Sequence, residues 1–182
     1  MAAGWNARLI VETWARGRPM ATSIGLKVAA AHTGAKHVCL VNDEASRSAY
    51  AESMRGHGLP AGEVVVGPTE SAVGELEGID FLVADCARDD LAGILRAARL
   101  CERGAVLVCK NASWRADSES RWREAIGGEM RRRIVRSVFL PVGKGLDIAH
   151  VGATGGSGEK RKSRWVKHVD QRSGEEFVFR KC

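Results

Sequence analysis

What this sequence lacks narrows its class before any motif is considered. No apolar run reaches the roughly 18 residues of a membrane-spanning helix. Its start shows no basic segment followed by an apolar stretch and a small-residue cleavage site. The expectation is a soluble intracellular protein, cytoplasmic or nuclear. The five cysteines are an odd number, and none stands in a paired metal-ligand spacing, so no zinc module is legible. Cys39, Cys86 and Cys109 fall within or at the ends of apolar runs and read as buried, reduced thiols. No internal repeat is visible.

The net charge of +6 is unevenly spread. Basic residues gather in Arg131-Arg132-Arg133 and in a tail with Lys160-Arg161-Lys162, Arg164 and Lys167. Such segments attract phosphates, nucleic acid or acidic partners, although a solvated charged face is the commoner outcome. Weak polyanion or RNA binding through the tail is the expectation they raise. With 182 residues and 45% hydrophobic content, the chain suits one globular domain that removes about 70% of its unfolded surface from water.

What the chain does have is a βαβ pattern. Residues 78–86 (GIDFLVADC) and 104–111 (GAVLVCKN) are apolar runs opened by Gly and closed by polar residues. Between them Leu91, Ile94, Leu95 and Ala98 fall on one helical face. Parallel strands buried on both faces read as continuous apolar runs, and ligands bind at their carboxyl edge. Asp85, Lys110 and Asn111 stand at that edge.

The rest follows the same alternation. A strand over 8–14 (RLIVETW) leads through a loop with Gly17 and Pro19 to a helix ending at Thr33. Thr22 or Ser23 would cap that helix, Ile24, Val28 and Ala31 would share its face, and Gly34 would stop it. A strand over 37–41 ends in Asn42-Asp43-Glu44, a cap and acidic first turn for a helix reaching Arg55. A third strand, 63–66 (EVVV), is closed by Gly67-Pro68-Thr69 and a short helix through Leu76. Residues 114–126 read as a polar helix, and 133–140 and 146–151 as strands joined by a hairpin-length turn, PVGKG. The fold class expected is α/β: a doubly wound, Rossmann-like, mostly parallel sheet with an antiparallel carboxyl-terminal end. Residues 1–151 would form this domain, 152–163 a mobile basic loop, and 164–182 a terminal hairpin appended to it.

Several strings in order, MAAGWNARLIVETW, HVCLVNDEASRSAY, EGIDFLVADC, RGAVLVCKNAS, VRSVFLPVGKGLDIAHVGA and SRWVKHVDQRSGEEFV, resemble the plant proteins grouped as domain of unknown function 1442. Members of that family resemble S-adenosylmethionine-dependent methyltransferases in fold. More distantly, the chain is similar to the cation-dependent O-methyltransferases of catechols and caffeoyl esters. That resemblance implies S-adenosylmethionine as cofactor and a small-molecule methyl acceptor. It implies Glu12 as the acid ending the first strand, Gly17 in the turn after it, Asp43 or Glu44 as the ribose acid, and Gly67 and Thr69 in the adenine loop. Asp85 matches the first metal-binding aspartate, Asn111 and Trp114 an Asn and Trp of the acceptor turn, and PVGKG the final hairpin.

The departures are specific. The first turn, TWARGRPMATS, carries one Gly and two Arg where the methyltransferases bring backbone close to the cofactor. Lys110 replaces a second metal aspartate and Ala87 a further acid, so no metal is expected. Asp85 and Lys110 are the candidates for catalysis, Asn111 and Trp114 for acceptor contact. Each has a plainer alternative: a hydrogen-bonded strand-end carboxylate for Asp85, a solvated lysine for Lys110, a helix cap and first-turn acid for Asp43 and Glu44. His150 and His168 read as packed histidines, and Trp14, Trp114, Trp122 and Trp165 as core or stacking surfaces. The functions left open are a metal-independent methyltransferase, a non-catalytic scaffold with a decayed ligand site, and a basic nucleic-acid-associated protein.

Overall fold

The apolar runs become strands, and those at the centre of the sheet are covered on both faces. The computed structural model describes residues 1–112, 122, 133–154, 165–169 and 176–180, the last two segments by their backbone. Five strands, β1 (Leu9–Thr13), β2 (Lys36–Val41), β3 (Glu63–Val66), β5 (Phe81–Asp85) and β7 (Ala105–Lys110), run parallel. Two more, β8 (Ile134–Leu140) and β9 (Leu146–Val151), add antiparallel beyond β7, giving the seven-stranded order β3-β2-β1-β5-β7-β9-β8. The chain winds outward from β1 in one direction through β2 and β3, then returns to build the other side from β5. That reversal opens a crevice at the carboxyl ends of β1 and β5, where ligands of doubly wound sheets bind.

Alternation along the strands divides the core in two. Val11, Val38, Leu40, Leu82, Ala84 and Leu107 pack on α3 (Thr69–Gly74) and α4 (Leu91–Ala97). The opposite face buries Ile10, Phe81 and Val83 under Leu26 and Ala30 of α1 (Ala21–Thr33), and Cys39 and Val41 under Tyr50 and Met54 of α2 (Glu44–Gly56). Helices on both faces with polar strand ends between them confirm the doubly wound reading.

Local chemistry explains most boundaries. Gly34 takes the left-handed conformation, φ 68°, and returns its N–H to the Ala30 carbonyl to end α1. Asp43 caps α2 by accepting the Ser46 N–H at 2.7 Å. The face of α4 expected from its period, Leu91, Ile94 and Leu95, is buried.

Other expectations are corrected. Neither Thr22 nor Ser23 caps α1; the helix starts at Ala21 after Met20 without a side-chain cap, because the Ser23 hydroxyl is drawn inward to Glu12. Its buried face is Ser23, Leu26 and Ala30, while Val28 is 44% exposed. With small or apolar residues all round, this helix carries a weak period, and docking selects the face. Ile79 belongs to a short strand, β4 (Glu77–Ile79), that pairs in parallel with β6 (Arg99–Leu100) rather than opening β5. Cys86 is only partly buried, whereas Cys39 and Cys109 are buried.

The terminal pair β10 (Trp165–Val169) and β11 (Glu176–Arg180) forms the expected antiparallel hairpin, as a separate two-stranded sheet. Residues 155–163 of the expected mobile loop lie outside the described residues, as does the 114–126 helix except Trp122, which is helical and fully buried against the α3/α4 face. No helix among the described residues is long and apolar enough to cross a membrane.

Candidate functional site

The polar groups at the carboxyl ends of β1, β5 and β7 meet in the crevice. Asp85 ends β5 and is in register with Lys110, which ends β7. The Asp85 carboxylate is buried and accepts the Asn111 side-chain amide at 2.8 Å and the Ala87 N–H at 3.0 Å. Arg18 approaches it more loosely, with Nε at 3.8 Å. Burial alone would raise the Asp85 pKa, but the Asn111 and Ala87 hydrogen bonds, Arg18 and Lys110 together hold it below the ordinary carboxylate value. It is therefore ionised at neutral pH.

Asn111 reaches Asp85 because its backbone is left-handed, φ 60°, a conformation Asn tolerates better than most residues. The turn is held from the other side by the PVGKG hairpin: the Ala112 N–H donates to the Gly145 carbonyl at 3.1 Å. Gly145 has φ 90°, and a Cβ there would run into the Ala112 carbonyl. The hairpin and the Asn111 turn, matched separately in the sequence, thus lock one another.

A second cluster lies at the ends of β2 and β3. Thr69, buried, donates its hydroxyl to Asn42 Oδ1 at 2.6 Å and accepts from Arg88 at 2.9 Å. Arg88 also forks onto Asp90 through two hydrogen bonds, which hold the Asp90 carboxyl low. Asp43 and Glu44 are exposed beside this cluster. The Ser46 amide that Asp43 caps keeps its pKa below the ordinary value, and Glu44 pairs with Arg47 at 3.1 Å. Gly67 and Gly17 both have positive φ, 149° and 81°, and open space where a side chain would stand.

Glu12 is set apart from the crevice. It is fully buried between β1 and the helices, accepting Ser23 Oγ and Tyr50 OH, each at 2.9 Å. His37 Nε2 lies 3.2 Å from the same carboxylate, yet neither ring nitrogen of His37 makes a hydrogen bond. Burial first and the Glu12 charge second push the Tyr50 hydroxyl and Cys39 thiol well above their ordinary values. Both stay protonated.

The structure therefore brings Asp85, Lys110 and Asn111 together and places Thr69 beside the neighbouring strand end. Trp114 and the basic runs at 131–132 and 160–164 lie outside the described residues. Reading the sequence missed Arg88 as a lining group and Asn42 as the acceptor of Thr69, and treated Arg18 only as an obstruction. Each sits in a loop immediately after a strand's carboxyl end, which is the one signal that could have marked it. His150 packs edge-on against Trp5, with centroids 5.7 Å apart, and Trp14 packs likewise on Tyr50 at 5.4 Å.

Thr13, Trp14, Arg18, Asp85, Arg88 and Lys110 line a cavity of about 30 Å³. That holds about one water, whereas sites for drug-sized ligands are commonly some 300 Å³ or more. Anything larger fits here only if lining side chains shift.

Residues 1–181 match the family described as Protein of unknown function (DUF1442), and the chain belongs to it. A search of curated protein sequences finds no match. Among solved structures, the chain is similar to a SAH-bound methyltransferase of Podospora anserina, at 18% identity, covering 85% of this chain and 75% of that one with a TM-score of 0.60. It is similar to a methyltransferase of Geobacter sulfurreducens at 21% identity, 84% and 74% coverage and a TM-score of 0.63. A Staphylococcus aureus protein named as a candidate caffeoyl-CoA O-methyltransferase follows at 12% identity, 82% and 78% coverage and a TM-score of 0.58. The fold is that of a Rossmann-like methyltransferase.

Proposed function

We propose that this family member binds S-adenosylmethionine along the carboxyl ends of β1, β2 and β3 and transfers its methyl group to a small acceptor seated beside β5 and β7. The carrying observation is the reversal of strand order at β1 and β5, which opens a crevice bordered by candidate polar groups for both partners. Asp43, with one carboxylate oxygen committed to capping α2, keeps the other for a ribose hydroxyl. Gly67 and Thr69 would flank the adenine, and Gly17, with nothing near its missing side chain, lets the first turn adapt to the methionine portion. Glu12 supports this edge indirectly by tying β1 to α1 and α2. The sulfonium supplies the activation for methyl transfer, so the protein's task is alignment and exclusion of water. Asp85, held ionised by its hydrogen bonds, is a weak proton acceptor; its role in this reading is to orient Asn111 and Arg18 toward the acceptor.

The cation-dependent relatives imply a divalent ion, and the residues here do not fit one. A hard cation needs several oxygen ligands, while Lys110 stands where one would be and Ala87 where another acid would help. Among the described residues no three His, Cys, Asp or Glu side chains gather as a metal site. Metal-independent chemistry is the reading these side chains support.

A second reading rests on the small volume of the crevice: a scaffold whose ligand site has closed. Titration with S-adenosylhomocysteine, followed by thermal melting and calorimetry, separates the two, because a ligand of the native state raises the melting temperature. The expected result is saturable stabilisation, weakened at least tenfold by Asp43→Asn, which keeps the helix cap and removes the charge. No stabilisation at millimolar ligand would reject the donor reading and leave the scaffold.

A further inference from the structure

The crevice holds more hydrogen-bond donors than its own acceptors use. Lys110 is half-buried and its side-chain ammonium, among the described residues, makes no hydrogen bond or ion pair, although its charge is felt at Asp85. Thr13 Oγ1 is fully buried and has no partner, and neither has the indole Nε1 of buried Trp14; both residues line the same cavity as Lys110. A buried hydroxyl or indole left unpaired is a cost that native proteins seldom carry without an occupant. The cations lining the cavity are Arg18, Arg88 and Lys110. Asp90 consumes Arg88, and Asp85 is shared between Asn111, the Ala87 amide and a 3.8 Å contact with Arg18. Three cations thus face two carboxylates whose acceptor capacity is largely spent.

We infer that this cavity is an oxyanion site, and that the methyl acceptor is an acid whose carboxylate, or an equivalent small oxyanion, is held by Lys110 and Arg18 with the Thr13 hydroxyl as a further donor. The inference rests on the methyl-transfer reading only in calling the anion part of the acceptor. The volume of about 30 Å³ admits one oxygen of such a group, about the size of a water, and leaves the rest of the molecule outside, toward Asn111. Arg18, 45% exposed and loosely paired, can turn from Asp85 to the incoming anion without stranding the aspartate, which keeps its Asn111 and Ala87 bonds. The same ammonium that excludes a divalent ion from this edge would orient an anionic substrate in its place.

The test uses inorganic phosphate as probe, titrated calorimetrically into the full chain at constant ionic strength. The expected result is one saturable site. Lys110→Met should weaken it at least tenfold, and Thr13→Val severalfold, while Arg99→Ala, which alters an exposed cation paired to Glu77, leaves it unchanged. Thr13→Val should also melt no lower than the parent, since it replaces an unpartnered hydroxyl by a methyl, so its effect on phosphate would not reflect misfolding. No saturable heat in the parent, or equal affinity in Lys110→Met and Thr13→Val, would overturn the site. Repeating the titration with saturating S-adenosylhomocysteine separates the sources of the anion: unchanged phosphate affinity assigns the site to the acceptor, and competition would give it to the donor's own carboxylate and overturn the assignment. Should S-adenosylhomocysteine fail to bind at all, the donor reading falls while the phosphate titrations still decide the oxyanion site.

Discussion

Asp85 and Lys110 are register partners at the ends of adjacent parallel strands, yet the carboxylate takes its hydrogen bonds from Asn111 and the Ala87 amide, and the ammonium is left unpaired among the described residues. A strand-end cation next to a satisfied carboxylate is poised toward anions rather than metal ions. Its sign is the property most open to experiment.

Calorimetry should detect no Mg²⁺ or Mn²⁺ binding by the parent protein at millimolar concentration, and Lys110→Asp should create it. Two unit charges about 4 Å apart interact by roughly 4 kcal/mol at an effective dielectric near 20, and a divalent ion doubles this. Reversing the charge converts that repulsion into attraction and supplies a second carboxylate beside Asp85 and Asn111. A divalent ion held by the unmodified protein would refute the charge argument.

Glu12 should prove one of the most costly side chains to truncate. It is fully buried, accepts from Ser23 and Tyr50, and lies 3.2 Å from His37 Nε2. Glu12→Ala leaves two buried hydroxyls without their acceptor, each costing about 1 to 3 kcal/mol. Urea unfolding should show a loss of about 3 kcal/mol or more, against a change within about 0.5 kcal/mol for an exposed site such as Glu52. A loss below 1 kcal/mol would mean that the network contributes little.

Asp80 should make stability acid-sensitive. Its carboxylate is buried and accepts the Arg8 and Leu9 N–H groups at 2.7 and 3.0 Å, and the Arg103 guanidinium at 2.7 and 3.0 Å. Burial works against the charged form, but these donors outweigh it and hold the pKa below the ordinary value. A lowered folded-state pKa contributes stability that is present above the unfolded value, about 3.9, and is lost as pH falls through the folded value. Asp80→Asn should therefore cost about 2 kcal/mol at pH 7, and the gap between parent and variant should narrow in denaturant titrations at pH 3 and below. A gap that stays constant with pH would remove Asp80 from the acid response.

Gly145→Ala should destabilise the hairpin and loosen the Asn111 turn together. The left-handed φ of 90° and the collision with the Ala112 carbonyl together should cost about 2 to 4 kcal/mol. Hydrogen exchange at the Ala112 amide, which bonds to the Gly145 carbonyl, should accelerate beyond that of distant strand amides such as Val38. Parallel acceleration at both positions would indicate global destabilisation without a local coupling.

The strands were legible in the chain itself, because a fully covered strand requires continuous apolar residues and the runs ending at Asp85 and Lys110 can satisfy little else, whereas their order in the sheet came from the tertiary structure. Caps such as Asp43 and stops such as Gly34 were legible for the same reason: their chemistry acts on backbone a few residues away. The buried face of α1 was not, since an Ala-rich helix offers several apolar faces and only the sheet chooses among them. The pairing of Glu77–Ile79 with Arg99–Leu100 was hidden too, as it joins short segments distant in sequence. The same limit applies to the site. Asp85, Lys110 and Asn111 could be placed at one edge from strand ends alone, but whether they would bond to each other could not. Tertiary packing decided that Asn111 takes the carboxylate, that Arg88 is spent on Asp90 and Thr69, and that Glu12 turns inward to Tyr50 and Ser23. Hydrogen bonds are directional and short-ranged, so which partners win depends on distances of tenths of an ångström that no local pattern encodes.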